Sequence, residues 1–315
     1  MISVLADQYV VVIGGANIDV KARSADPIVP ATSNPGTVCV SAGGVGRNIA
    51  DNLARLGTRV HLLAAVGRDA IGDRLVSETA TAGVVVDSIV RVSAPTGTYM
   101  AVLDADGELV TAVSDMAATD SIDVGYVSRH RGLIVAAAFV VLDGNLPSVV
   151  ISAVLDIASR ADVRVLLDPV SDAKATRLAE LLTGDRSLFL VTPNRTELCV
   201  LTGCSTTDSL NDAVAQLHAL GAENVWVRLG VSGSVFSAAG SVSAISVGTV
   251  DVVDVTGAGD AATAAFVHAV LRGRSLVDAA RFGHAAAGLT IASTHTVRPD
   301  LTESLVDAEL QRRTT

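Results

Sequence analysis

A chain of 315 residues, half of them apolar, can bury a large core and is not intrinsically disordered. A net charge of −10 with only 3% aromatic residues argues against nucleic-acid binding, which needs basic grooves and stacking rings. The longest apolar stretch, Leu133 to Leu142, is too short to span a bilayer and reads as a buried strand, so no membrane association is expected.

Met1 to Gln8 lack the basic and long apolar regions of a signal peptide. Cys39, Cys199 and Cys204 form no paired framework, which suits a reducing cytosol; both points predict a cytoplasmic protein. Tyr9 to Ile13 reads as the first strand, ended by Gly14-Gly15-Ala16-Asn17-Ile18-Asp19. Thr37 to Ser41 is a short strand-like piece. Ser41-Ala42-Gly43-Gly44-Val45-Gly46-Arg47-Asn48 then opens a helix with Ile49, Leu53 and Leu56 on one face. Val60 to Val66 reads as a strand. Thr98 to Leu103 and Leu109 to Ser114 alternate around Asp104-Ala105-Asp106-Gly107, a hairpin. Further apolar strands are predicted at Leu133 to Leu142, Val163 to Leu167, Leu188 to Val191 and Asn224 to Leu229.

Continuous apolar strands alternating with helices predict an α/β fold, with a mostly parallel central sheet covered by helices on both faces. Its site is expected at the carboxyl ends of the strands. No internal repeat or linker is evident, so residues 1–315 read as one domain. Segments at about 16–42 and 95–118 are inserted into it as a small β-sheet placed to act as a lid.

The string that carries chemistry is Asp254-Val255-Thr256-Gly257-Ala258-Gly259-Asp260, after a Val-rich strand and before the apolar helical run Ala261 to Leu271. Gly257 and Gly259 permit a tight turn whose amides converge, and the helix adds free N–H groups and the positive end of its dipole. Such a turn suits charge developing on a transferring phosphoryl group, and Asp260 is placed to take the proton of an attacking hydroxyl. An isolated Gly-x-Gly-Asp would be an ordinary helix entry; the seven-residue string is far more specific. A dinucleotide fingerprint fails because Ile49 stands where Gly44-x-Gly46 needs a third glycine, and no P-loop motif occurs.

Here the chain resembles the ribokinase-like (PfkB) carbohydrate and nucleoside kinases. The resemblance implies their three-layer α/β/α fold, ATP and Mg²⁺ as cofactors, and a small-molecule nucleoside or sugar as substrate. It makes Asp260 the catalytic base and Gly257, Ala258 and Gly259 the anion hole. It gives Asn17, Asp19, Gly43, Gly44 and Asn48 to the sugar. Thr192-Pro193-Asn194-Arg195-Thr196-Glu197 matches the family's N-x-x-E element, which implies that Asn194 and Glu197 help hold Mg²⁺ and the phosphates, Glu197 through water. Arg228-Leu229-Gly230-Val231-Ser232-Gly233 matches a nucleotide segment, which gives Arg228, Gly230 and Gly233 to ATP. Asp254 and Thr256 match positions beside which the family often holds K⁺.

Within the family, Ile13 to Lys21, Asn34-Pro35-Gly36, Gly43 to Ala50, Ser114-Asp115-Met116 and Val141 to Pro147 look like the pseudouridine kinases, which implies phosphorylation at the nucleoside 5′-hydroxyl. Asn145 stands where ribokinases carry the Glu of a Glu-x-Pro element, which suits a neutral base. Lys21, one of two lysines among many arginines, and Asp115 are expected at the uracil edge; a solvated loop position explains Lys21 equally well. Kinases for ribose, adenosine or fructose, and a non-catalytic binding relative, are the alternatives. The edge of the lid sheet invites pairing with a second copy, so a homodimer is expected.

Overall fold

The computed structural model describes residues 8–238 and 240–314; the segment Met1–Asp7 lies outside it. The apolar runs form one eight-stranded sheet. From edge to edge it runs Ser241–Ile245, Ser234–Ala238, Asn224–Arg228, Leu190–Val191, Arg164–Asp168, Phe139–Asp143, Val10–Ile13 and Val60–Leu63. Ser234–Ala238 pairs antiparallel with both its neighbours, and the remaining pairings are parallel.

Alternation along the strands feeds two cores. Val10, Val12, Val141 and Trp226 face the helices Val45–Arg55, Ala258–Leu271 and Leu276–Ile291. Val11, Ile13, Val140 and Val227 face Ser148–Arg160, Arg195–Thr202 and Leu210–Ala219. In the first core Trp226 stacks near Phe266 and donates its indole N–H to Ser234 at 2.9 Å, so its polar edge is satisfied in a dry setting.

A second sheet stands apart, ordered Gly36–Gly43, Asn17–Ser24, Gly97–Leu103 and Leu109–Asp115. The hairpin closes because Asp104 Oδ1 accepts the N–H of Asp106 at 3.0 Å and of Glu108 at 2.9 Å, the local bond that makes Asp a turn residue.

Three apolar runs fold otherwise than periodicity predicts. Leu133 to Leu142 is not one strand: Arg131–Val135 is a short helix and the strand begins at Phe139. Val60 to Val66 splits at Ala64 into Val60–Leu63 in the main sheet and Ala65–Gly67, which pairs with Val90–Val92. The Val-rich stretch before Asp254 is an open segment rather than a strand. Val252, Val253 and Val255 stand in solvent, and the backbone hangs from the Ile291 carbonyl through the N–H groups of Val253 and Asp254. The first strand stops at Ile13 as expected, and Asn17 and Asp19 open a strand of the second sheet.

Candidate active site

Val10–Ile13 is followed in the chain by a neighbour on one side, Val60–Leu63, and later by one on the other, Phe139–Asp143. That reversal leaves a crevice at the strand carboxyl ends, where ligands of open α/β sheets bind. Gly14 and Gly15 leave one strand there and Asp143 ends the next. The Asp143 carboxylate accepts the Gly15 N–H at 2.9 Å, the Gly46 N–H at 2.7 Å and the Asn145 N–H at 2.9 Å. One buried acid thus ties three loops together. Burial pushes its carboxyl up and the amide bonds oppose the shift.

On this scaffold the residues that the resemblance gives to the sugar converge. Asn17 pairs with Gly43 across the small sheet, and its side chain donates to Asp19 Oδ1 at 2.7 Å. The Asp19 carboxylate lies over Gly43, where a Cβ would collide with it. Gly44 has φ of +94° and lies against the Gly15 backbone, a conformation and an approach that a side chain would oppose. The Asn145 side chain sits over Gly15. Burial raises the Asp19 carboxyl, while the Asn17 bond and the charges of Lys21 and Arg47 hold it down.

Asn48 joins this group to the reacting end. Arg47 donates to the Asn48 Oδ1, so the Asn48 amide must turn its nitrogen outward, and Nδ2 donates to Asp260 Oδ2 at 2.8 Å. Arg47 is itself 3% exposed. It is held by the Gly43 carbonyl at 3.0 Å and by Asp51 at 2.9 Å, which gives the buried cation a counter-charge.

Asp260 lies in the first turn of Ala258–Leu271, after Gly257 with φ of +80°. The left-handed turn puts Gly257 against the Thr296 carbonyl, leaving no room for a side chain. Burial pushes the Asp260 carboxyl up to about 7. The Asn48 bond and Arg228 oppose the shift, and Asp168 and Asp143 add to it. A carboxylate poised there can take a proton near neutral pH and give it up again.

Arg228 closes the other side. Its guanidinium lies against Gly259, donates to the Thr192 carbonyl at 2.6 Å, and stands 3.2 Å from Asp168 and 4.0 Å from Glu197. Asn194 and Glu197 form a capping box at the start of Arg195–Thr202. Asn194 accepts the Glu197 N–H at 2.9 Å and Glu197 accepts the Asn194 N–H at 2.8 Å. Burial raises the Glu197 carboxyl, and its bond to the Asn194 N–H opposes this. A cleft of about 530 Å³ opens beside them, lined by Asn194, Thr196, Arg228, Leu229, Gly230 and Ser232. Gly233 stands behind it, closing the turn against the Ile245 carbonyl.

Asp115 and Lys21, expected at the nucleobase, are differently placed, Asp115 on the opposite face of the small sheet and Lys21 on the face of Asn17 and Asp19. Asp115 pairs with Thr98, which pairs with Ile18. That row faces away from Asn17, Asp19 and Lys21, and the Asp115 carboxylate caps the Ala117 N–H at 3.1 Å. Lys21 reaches instead to Asp254 and Thr256, at 2.8 and 2.9 Å. The sequence reading gave no role to Arg47, Asp143, Asp168 or Thr192. An acid closing a strand, as in the Leu-Asp ends at 143 and 168, was the available signal for two of them.

A glycine turn at a helix start, a buried carboxyl raised to about 7 and a group of polar side chains meet on one crevice, an arrangement suited to phosphoryl transfer onto a hydroxyl group. The chain belongs to the pfkB family of carbohydrate kinases, whose signature matches residues 7–303. It is 34% identical over 297 residues to the pseudouridine kinase of Escherichia coli, covering 93% of each chain. It is 32% identical over 296 residues to a ribokinase of Arabidopsis thaliana, covering 89% of this chain and 75% of the relative. The solved structure of Arabidopsis thaliana ribokinase complexed with ribose and ATP superposes with a TM-score of 0.85 at 28% identity, covering 96% of this chain and 99% of that one. Ribokinase-like kinases use ATP with Mg²⁺. No helix among the described residues is long and apolar enough to cross a membrane.

Proposed function

We propose that the protein phosphorylates the 5′-hydroxyl of pseudouridine at the expense of ATP. The observation that carries the substrate is Asn145. It puts a neutral amide over Gly15, beside the sugar-side group, where ribokinases carry a carboxylate. The resemblance to a pseudouridine kinase along nearly the whole chain supports it.

In this reading Asn17, Asp19, Gly43 and Asn48 hold the ribose, and ATP lies in the cleft beside Asn194, Arg228 and Gly230. Gly44, lodged against the Gly15 backbone, shapes that sugar pocket. Asp260 accepts the hydroxyl proton as the oxygen attacks the γ-phosphorus. The Gly257, Ala258 and Gly259 amides and Arg228 receive the charge spread over the transferring group. Gly233 holds the nucleotide turn closed.

Among the described residues no group of three or more His, Cys, Asp or Glu is arranged to hold a metal ion. The family resemblance gives a hydrated Mg²⁺ that arrives on the nucleotide, and Glu197 would hold it through water. When bound, it neutralises phosphate charge. The small sheet acts as a lid excluding water, which would otherwise take the phosphoryl group. Its outer face carries Val38, Val40, Met100 and Val113, all exposed, and we assign that face to a second copy of the chain. A cytoplasmic location suits the supply of ATP.

The test is a panel of pseudouridine, uridine, adenosine, ribose and fructose with Mg-ATP, followed by ADP release and product mass. Turnover confined to pseudouridine is expected; preference for ribose or another member would replace the substrate and keep the Asp260 chemistry.

A further inference from the structure

Lys21 lies in the strand Asn17–Ser24, on the face that carries Asn17 and Asp19, and its ammonium leaves that sheet for the phosphate turn. Nζ donates to Asp254 Oδ2 at 2.8 Å and to Thr256 Oγ1 at 2.9 Å, across 233 and 235 positions of sequence. The other carboxylate oxygen, Oδ1, accepts the Thr256 N–H at 2.8 Å and its hydroxyl at 2.6 Å. Both oxygens of the Asp254 carboxylate and the Thr256 hydroxyl are thereby engaged, and the cation among them is covalently part of the chain. Burial raises the Asp254 carboxyl, but the bonds from Lys21 and Thr256 outweigh it and hold the group below its usual range.

These are the two positions at which the family resemblance implies K⁺. The donor set does not fit that ion here: a second cation would be repelled at contact distance by an ammonium already bonded to both side chains. We infer that Lys21 is a built-in counter-cation, a positioning residue that replaces a monovalent metal ion beneath the Gly257–Gly259 turn and ties the sugar-side strand to it. The turn follows Thr256 directly and is braced on its far side by the Thr296 carbonyl. Neutralising Asp254 from the lid side therefore sets the turn's amides when, and only when, that strand is seated. The inference rests on the kinase activity and not on which nucleoside or sugar is used.

The experiment compares the wild-type enzyme with Lys21→Met and Lys21→Arg in buffer whose only cation besides Mg²⁺ is tetramethylammonium. Potassium or methylammonium is then added, and turnover and melting temperature are followed. Wild-type kcat and melting are expected to be the same with and without the added cations. Lys21→Met should lose about ten- to a hundredfold in kcat, as misplaced catalytic amides do, with a smaller change in KM. Methylammonium or potassium should restore part of the loss and raise the melting temperature of that variant alone, and Lys21→Arg should fall between the two. A wild-type enzyme activated by potassium would overturn the inference. So would Lys21→Met with wild-type kcat, or one whose losses respond to no small cation. If pseudouridine proves not to be the substrate, the same comparison runs on whichever panel member turns over. If none does, the melting response of Lys21→Met against wild type still decides it.

Discussion

The main sheet and the small sheet use the same β-branched residues and place them in opposite environments. Val10, Val11 and Val12 are fully buried, with helices on both sides. Val38 and Val113, in the outer strands of the small sheet, are 67% and 66% exposed, and the base of that sheet, at Ile18, Val20 and Ala42, packs against the main core. The body is held by packing on two faces. The small sheet is held at its root, where Arg47 grips the Gly43 carbonyl, along its backbone ladder, and by the ion pair of Lys21 with Asp254. Burial thus concentrates in the body that holds Asp260, and the small sheet, with one face largely in solvent, is the part proposed above to act as a lid.

Four substitutions probe that contrast. Asp260→Asn touches the body at a buried carboxyl that burial pushes up to about 7. It should lower kcat by about a thousandfold or more while the fold is kept, since general bases contribute about 10²–10⁴. Wild-type activity in this variant would remove Asp260 from the chemistry.

The same residue gives a pH signature. Its carboxyl sits near 7 in the fold against about 4 in the unfolded chain, so the fold binds the extra proton. The associated stability is complete below about pH 4 and is lost as pH climbs through 7. Wild-type protein should therefore melt lower at pH 8 than at pH 6 by more than Asp260→Asn does. Activity should run the other way, kcat/KM rising through about pH 7.

Trp226→Ala removes a ring packed on Phe266 and Gly283 and should cost about 3–5 kcal/mol by denaturant unfolding. Loss of less than about 1 kcal/mol would mean the body is not the rigid partner described. Asn48→Leu deletes a bond that lowers the Asp260 carboxyl, so the acid limb of the kcat/KM profile should move to higher pH. An unmoved limb would show that Asn48 does not tune the base. Val113→Ser, on the exposed face, should change monomer stability by no more than about 0.5 kcal/mol. It should instead weaken self-association by light scattering, and a wild-type monomer at working concentration would end the dimer assignment.

The Gly-rich turns were legible in sequence because only a few residue types permit a left-handed backbone before a helix, as at Gly257. The parallel body was legible from apolar runs. Those same runs misled wherever burial and strand pairing part company. Val252, Val253 and Val255 have strand composition but no neighbouring strand, and Leu133 to Val135 close a short helix. The face taken by Asp115 depends on register across two strands, and the pairing of Lys21 with Asp254 on closure of the whole chain. Neither is written in any local window. Arg47 fell between two recognised motif positions, and its work of turning the Asn48 amide is a matter of hydrogen-bond direction.

The scarcity of lysine has a practical consequence. Lys21 and Lys174 carry the only side-chain amines, and Lys21 is engaged while the small sheet is seated. An acylating reagent therefore tests the proposed lid. The rate at which the peptide holding Lys21 gains mass, relative to that holding Lys174, reports how often the Lys21–Asp254 pair opens. Saturating ligands should slow the first rate selectively, without any engineered label.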